Sequence, residues 1–346
     1  HQKPIFICTS ATIGNPIEFI EKLLEEKFEL IENDGSPQGK KKTIFYNPPI
    51  INEELGIRKS SNLETLQIVK ELVENDIQTL VFQGSRKQVE RSLKNINLQS
   101  GFQKEFFSAS YRSGYLANDR RKLEQDFRSG KLNVLFATNA LELGVDIGGL
   151  RSVILSGYPG SISSTLQQVG RAGRKQSDSL AILIASANPI DQYIIKRPEY
   201  LLINNPEKAL INPDNPNILL DHLKIALYEL SLMEGENFGN LKWDQIYPFI
   251  DQLIATGIAR KNNKKYMISN QSTFKNEISL RNLSGNTMKL IDNTKKPERI
   301  IGEIDYASSL WMVHPNAIYL HLGEQYYVNK VDFESNEVFL EESTAD

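Results

Sequence analysis

Two arginines stand three residues apart in Gln167-Gln-Val-Gly-Arg-Ala-Gly-Arg174. On a helix, residues at that spacing share a face, so Arg171 and Arg174 can address one site. Gly170 and Gly173 precede them and let a partner surface approach closely. Charge developing on a transferred phosphoryl group calls for planar, permanently charged donors, which guanidinium groups supply. Gln168, three residues before Arg171, adds an amide on the same face. The plain alternative is a pair of surface arginines in structural ion pairs.

A second segment, Ala137-Thr-Asn-Ala-Leu-Glu-Leu-Gly-Val-Asp-Ile-Gly148, ends an apolar strand in a Thr-Asn turn and closes on glycines. Gly144 brings backbone close to a nucleotide, and Asp146 offers a carboxylate to a ribose hydroxyl or to the arginines. Asp146 equally suits capping of the next turn. Thr138 and Asn139 fall at the C-terminal end of a predicted parallel strand, where open α/β sheets bind ligands. Their hydroxyl and amide fit a nucleic-acid backbone contact, which positions without reading sequence. Thr-Asn is also an ordinary strand-to-helix turn. Arg112 in Tyr111-Arg-Ser-Gly-Tyr115 and Ser85-Arg86 occupy similar strand ends, with Arg112 a candidate phosphate ligand and a tyrosine a candidate base-stacking surface. Arg120, Arg121, Lys122 and Arg128 alternate with Asp119, Glu124 and Asp126 and read as a salt-bridged helix face.

The chemistry that is missing narrows the field. No G-x-x-x-x-G-K-[ST] phosphate loop occurs; Gly35 to Lys41 has only three residues between its glycines and a lysine in the magnesium-binding position. No Asp-Glu dipeptide occurs either. Four histidines lack zinc spacing, and one cysteine, Cys8, excludes an intrachain disulfide and a cysteine-rich zinc site within the sequence. No Gly-x-Ser-x-Gly elbow is present. The net charge of −3 over 346 residues provides no global attraction to nucleic acid, so such contacts have to be local. No apolar run reaches the roughly 20 residues of a membrane span.

The elements that must hold these groups follow from periodicity. Ile5 to Cys8 reads as a strand running into Thr9-Ser-Ala-Thr12. Pro16 opens a helix with Phe19, Ile20, Leu23 and Leu24 on one face. Gly35 to Lys42 reads as turn and loop. From Ser60 helices and strands alternate: a capping box of Ser61 and Glu64, strand Thr79 to Phe82, and a second box of Ser85 and Gln88. Strand Glu105 to Ala109, helix Asn118 to Arg128, and strands Asn133 to Ala137, Val153 to Leu155 and Leu180 to Ala185 complete it. Such alternation predicts an α/β domain with a parallel sheet over residues 43–205. Leu219, Leu223 and Leu227, then Ile246, Ile250 and Leu253, mark two helices before a hairpin at Asn262-Asn263. This pattern suggests a winged-helix domain over 206–281. Alternating strands then imply a small β-barrel-like domain over 282–346.

These blocks resemble the MrfA-type (mitomycin repair factor A) helicases, superfamily 2 proteins related to the fungal Hrq helicases. The likeness rests on Tyr111 to Leu116, Thr138 to Gly148, Gly157-Tyr-Pro-Gly160 and Gln168 to Arg174. It continues through Ile211-Asn-Pro-Asp-Asn-Pro216, Ile301-Gly-Glu-Ile-Asp305 and His314-Pro-Asn-Ala-Ile-Tyr-Leu-His321. It implies an ATP-dependent 3′–5′ DNA helicase of DNA repair, with 43–205 as its second RecA-like domain and 1–42 as the tail of the first plus a linker. It also implies arginine fingers at Arg171 and Arg174, coupling by Ser10 and Thr12, and single-strand contacts by Thr138, Asn139, Arg112, Ser85 and Arg86. ATP and Mg²⁺ would be held mainly by a first RecA-like domain, and zinc by a C-terminal four-cysteine module, both outside this sequence. The chain is then expected to be a cytoplasmic, monomeric helicase segment that binds single-stranded or tailed DNA and does not hydrolyse ATP alone. A non-catalytic DNA- or protein-binding module, and a translocase that does not unwind, remain as alternatives.

Overall fold

A computed structural model of the chain describes residues 4–10, 12–33, 35, 39–98, 106–145, 147–173, 178–212, 215–269, 287–294 and 296–344. The first helix, α1, is Pro16–Leu24. Strands β1 (Lys41–Tyr46), β2 (Ile50–Asn52) and β3 (Ile57–Arg58) follow, then α2 (Ser61–Glu74), β4 (Thr79–Gln83), α3 (Arg86–Leu98), β5 (Ser108–Tyr111), α4 (Ala117–Arg128) and β6 (Val134–Ala137). A single 3₁₀ turn, Asn139–Leu141, precedes β7 (Ser152–Ser156), α5 (Ile162–Val169), β8 (Ser179–Ile184), α6 (Pro189–Lys196) and α7 (Glu199–Ile203). Then come α8 (Pro216–Glu229), β9 (Leu232–Met233), α9 (Trp243–Ala255), β10 (Ala259–Asn262) and β11 (Lys265–Ile268). The last elements are β12 (Thr287–Asp292), β13 (Arg299–Asp305), α10 (Tyr306–Met312), β14 (Ile318–His321), β15 (Glu324–Asp332) and β16 (Glu337–Glu342). The chain divides into two compact units: His1–Pro16 with Glu29–Ala209 and Thr287–Asp346, and Ile17–Phe28 with Leu210–Asn286.

In the first unit the predicted alternation yields a six-stranded parallel sheet in the order β1-β8-β7-β4-β6-β5. β4 and β6 are buried at every position, as near-continuous apolar runs covered on both faces should be. Apolar side chains form two separate clusters, one around Leu80, Phe127 and Leu155 and the other around Val81, Ile96 and Ile154. Alternate residues of one strand point to opposite faces, which is why neighbours Leu80 and Val81 belong to different clusters.

Three local expectations are corrected. The lysine run at Lys40 to Lys42 is not a loop: Lys41 and Lys42 begin an edge strand paired with Ser179 and Leu180. Lysines suit an edge because their ammonium groups reach water and discourage further pairing. α2 begins at Ser61 with Ser60 as its cap, and no side-chain capping bond forms. Glu64 turns instead to the Tyr46 hydroxyl and the Lys59 ammonium. Ile5 to Cys8 joins no sheet, and Ile5 and Ile7 are 90% and 87% exposed. A strand is stable only with a neighbour to pair with, and the described residues give it none.

Within the same unit, β12 to β16 form a five-stranded sheet in the order β13-β12-β16-β15-β14. Its hairpin from His321 to Glu324 turns through Leu322 and Gly323, both at positive φ, as a two-residue turn between right-twisted strands demands. The sheet meets the α/β layer where Tyr115 bridges Gly302 and the Glu303 N–H donates to the Gly114 carbonyl at 3.1 Å. A Cβ at Gly302 would lie 2.7 Å from the Gly114 carbonyl oxygen, so only glycine admits this approach.

Arg112 fills the space beside that contact. It is 1% exposed, and its Nε donates to Glu90 Oε1 at 2.9 Å. Its Nη2 donates to the Leu320 carbonyl at 3.0 Å and to His321 Nδ1 at 3.2 Å. The guanidinium also lies over the Tyr115 and Tyr319 rings. The Tyr115 hydroxyl and the Gly323 N–H donate to the Glu90 carboxylate. Burial pushes the Glu90 carboxyl up, but the Arg112 charge and these donors reverse the shift and hold it below the usual range. The expectation that Arg112 contacts DNA phosphate is therefore corrected. The strand end that carries it is covered by a second sheet, and an opposite buried charge holds the guanidinium inward.

Arg112 can only donate, so His321 Nδ1 accepts and the ring is neutral. Burial first, and the Arg112 charge second, lower its pKa to about 4; Glu90, Arg299 and Asp292 also act on it. A lowered histidine pKa stabilises the fold above the unfolded value of about 6.5, and that stability is lost as pH falls toward 4. Urea denaturation should show a loss on the order of 3 kcal/mol across that window from this group. The pH slope should shrink in His321→Asn, whose amide oxygen can accept the same bond.

In the second unit, α8 and α9 pack through Leu219, Leu223, Leu227, Ile246, Ile250 and Leu253, the residues whose spacing marked them. A three-stranded sheet, β10-β11-β9, completes this core with Tyr266 and Ile268. The β10–β11 turn falls at Asn263-Lys264, one residue beyond the expected dipeptide, because Asn262 pairs with Lys265 and Asn263 takes φ 54°.

Candidate functional site

Parallel strands deliver their following loops to one edge of the sheet. At the C-terminal ends of β4, β6 and β7 these loops enclose a cleft of about 180 Å³. Gln83, Gly84, Thr138, Asn139, Glu142, Tyr158, Ser164 and Gln168 line it. The structure thus brings the Thr138-Asn139 turn and the Gln168 helix to one place.

Thr138 caps the 3₁₀ turn, its Oγ1 accepting from the Ala140 N–H at 3.4 Å. Asn139 is exposed at the rim. Leu141 is wholly buried and pins the turn to the core. Glu142 closes it, its N–H donating to the Asn139 carbonyl at 3.0 Å. Gly144, at φ 75°, lets the chain reverse beyond it.

Helix α5 supplies the other wall. The Ser164 hydroxyl donates to Glu142 Oε1 at 2.8 Å, and Gln168 Nε2 donates to Oε2 at 2.9 Å. Arg171 is 6% exposed, and its guanidinium grips the loop: Nε donates to the Glu142 carbonyl at 3.0 Å and Nη1 to the Val145 carbonyl at 2.6 Å. A guanidinium fork matches two carbonyls better than any other side chain can. In this arrangement Arg171 faces the Thr138–Val145 loop. Arg174 and Asp146 lie outside the described residues.

The amino end of α5 is fixed by two remote segments. Glu207 accepts from the Ile162 and Ser163 N–H groups at 2.7 and 2.9 Å. Burial raises the Glu207 carboxyl, yet these backbone donors hold it net below its ordinary value. Thr12 is buried, and the Ser163 hydroxyl donates to its carbonyl at 2.9 Å and its Oγ1 at 3.0 Å. Gln167 Nε2 donates to the same Oγ1. Thr12 thus reaches the helix that carries Gln168, while Ser10 is exposed.

Ser85 caps α3, accepting from the Gln88 N–H at 3.2 Å, and the second expected capping pair is present to that extent. Arg86 is half-buried with Nη1 3.8 Å from Met312 Sδ; burial raises the Asp305 carboxyl, but the Ser308 donors and then the Arg86 charge hold it net below its ordinary value. Two acids in the frame carried no signal of their own in the sequence. Asp191 accepts from the Tyr158 and Ser186 N–H groups at 3.1 and 2.7 Å and fixes the Gly157–Gly160 loop. Glu142 lies inside the motif that drew attention, but nothing in its spacing pointed to α5. Among the described residues no three His, Cys, Asp or Glu side chains cluster to hold a metal. No described helix is long and apolar enough to cross a membrane.

The sheet order, the motif-bearing strand ends and the shared cleft are like those of a RecA-like domain of superfamily 2 helicases, and residues 63–176 match the helicase conserved C-terminal domain. The chain belongs to the Hrq-type branch of those helicases. It is 42% identical over 341 residues to an uncharacterized ATP-dependent helicase of Bacillus subtilis, YprA, covering 97% of this chain and 45% of that protein. It is 33% identical over 338 residues to the ATP-dependent helicase HRQ1 of Saccharomyces cerevisiae, covering 94% and 31%. The crystal structure of the DUF1998 helicase MrfA bound to DNA superposes with a TM-score of 0.85 at 41% identity, covering 99% of this chain and 46% of that one. The chain thus spans less than half the length of these relatives.

Proposed function

We propose that this chain is the DNA-gripping and phosphate-sensing half of an ATP-dependent 3′–5′ DNA helicase that acts in DNA repair. One observation carries the reading: the Thr138-Asn139 turn and Gln168 of α5 converge on one cleft at the C-terminal edge of a parallel sheet, with Arg171 behind it gripping the same loop. Likeness to a DNA-bound helicase supports it. ATP binds between this domain and a first RecA-like domain, which supplies the phosphate loop and the magnesium ligands that this sequence lacks. Gln168, Arg171 and Arg174 close on the phosphates, with Gly144 and Asp146 beside the nucleotide. Thr138, Asn139, Ser85 and Arg86 hold the single strand by its backbone, and Ser10 and Thr12 relay the state of one site to the other.

The finer architecture belongs to the same reading. Residues 43–205 form the second RecA-like domain, 206–281 a winged-helix-like domain and 282–346 a small barrel-like β-domain. The β10–β11 hairpin presents exposed Arg260, Lys261, Lys264 and Lys265, a local cation group suited to phosphate despite the net negative chain. Strand displacement from a 3′-tailed duplex by the full-length protein tests the reading. ATP-dependent unwinding is expected on that substrate and none on a 5′-tailed one. ATP turnover with movement but no unwinding would instead make it a translocase.

A further inference from the structure

Among the described residues that line the cleft, one carboxylate, Glu142, has no use in the nucleotide and DNA assignments. An acid beside a phosphate path is costly unless its charge is satisfied elsewhere. Here its charge is satisfied within the cleft wall. Both oxygens accept from α5, one from Ser164 and one from Gln168, while the carbonyl of the same residue accepts from Arg171. One residue therefore meets three residues of the helix and its C-terminal extension. On its other side a single 3₁₀ turn, Asn139–Leu141, joins it to Thr138. That turn is closed by the Glu142–Asn139 backbone bond and pinned by buried Leu141, so a shift at Thr138 cannot be absorbed before it reaches Glu142.

We propose that Glu142 is the positioning residue that couples the strand-gripping turn to the phosphate-facing helix. A strand seated on Thr138 and Asn139 bears on the turn, and Glu142 passes that load to Gln168 and Arg171. Thr12 and Glu207 hold the amino end of α5, and Thr12 also accepts from Gln167 beside Gln168, so the helix is seated along its length while Glu142 meets it at Ser164 and Gln168. Glu142 itself touches neither nucleotide nor DNA in this scheme. The inference rests on the helicase reading, and it adds a residue and a route between the two sites.

The two hydrogen bonds specify which variants distinguish coupling from simple loss of structure. In Glu142→Gln the amide can still accept from Gln168 and donate to the Ser164 hydroxyl, whereas Glu142→Ala removes both contacts. ATP hydrolysis by the full-length protein is measured with and without saturating single-stranded DNA, alongside a thermal unfolding midpoint. Glu142→Ala should lower the stimulation ratio by about tenfold, within the usual range of coupling between sites. Glu142→Gln should stay within about threefold of wild type. A Glu142→Ala ratio within about twofold of wild type overturns the proposal, as does an equal fall in both variants. If Glu142→Ala does not fold, Ser164→Ala, which removes one donor, should lower the ratio about threefold, and no change there overturns it. Wild-type protein without DNA-stimulated hydrolysis would overturn the helicase reading instead, so the two failures are separable.

Discussion

Replacing Arg171 by alanine in the full-length protein is expected to lower DNA-stimulated ATP hydrolysis by about three orders of magnitude, the scale of an arginine finger. Two effects combine. The variant removes a guanidinium proposed to meet phosphate charge. It also releases the Glu142 and Val145 carbonyls, which lose their donor and their fixed position. Arg171→Lys should recover little of the rate, because an ammonium cannot span two carbonyls that a planar fork holds together. Single-strand affinity without nucleotide should fall by less than about threefold, since phosphate contacts elsewhere dominate it. Steady-state hydrolysis and a binding titration check both halves, and normal turnover in Arg171→Ala would remove the arginine-finger assignment.

The second large effect concerns stability. Glu90→Ala should cost about 3–5 kcal/mol in urea denaturation, because it leaves the Arg112 charge buried without its carboxylate. The side chains of Arg112 and Glu90 are 1% and 2% exposed, so solvent cannot take over. Tyr115 and the Gly323 N–H lose their acceptor as well. Glu90→Leu combined with Arg112→Met should regain most of the loss, since an apolar pair of similar volume needs no desolvation of charge. A Glu90→Ala cost below about 1 kcal/mol would show that the pair is not what joins the five-stranded sheet to the α/β layer.

Much of the fold was legible because periodicity reports directly on burial. The strands from Thr79 to Ile184 and the helices between them fall within a residue or two of their expected bounds, except that β5 lies at Ser108–Tyr111 rather than Glu105 to Ala109. Residues Glu105 and earlier in that stretch lie outside the described set. The cleft-lining Thr138, Asn139 and Gln168 were also legible, since a strand end in a parallel sheet fixes which edge a loop occupies.

Arg112 marks the limit of that legibility. By sequence it equals Thr138, a polar residue after a parallel strand, and only the second sheet decides that it is buried. Glu90, His321 and Gly302 lie up to 231 positions from it or from one another, and no local period registers such a meeting. Glu142 shows the same thing at shorter range. Its motif placed it on a loop, but which of its atoms met α5 depended on how Thr12 and Glu207 seat that helix. Local spacing sets the face a side chain occupies, so the α/β alternation and the residues at the strand ends could be read from the order of residues. Tertiary structure alone decided which of those residues face a cleft and which face another element, because that depends on what chain distant in sequence packs against the face.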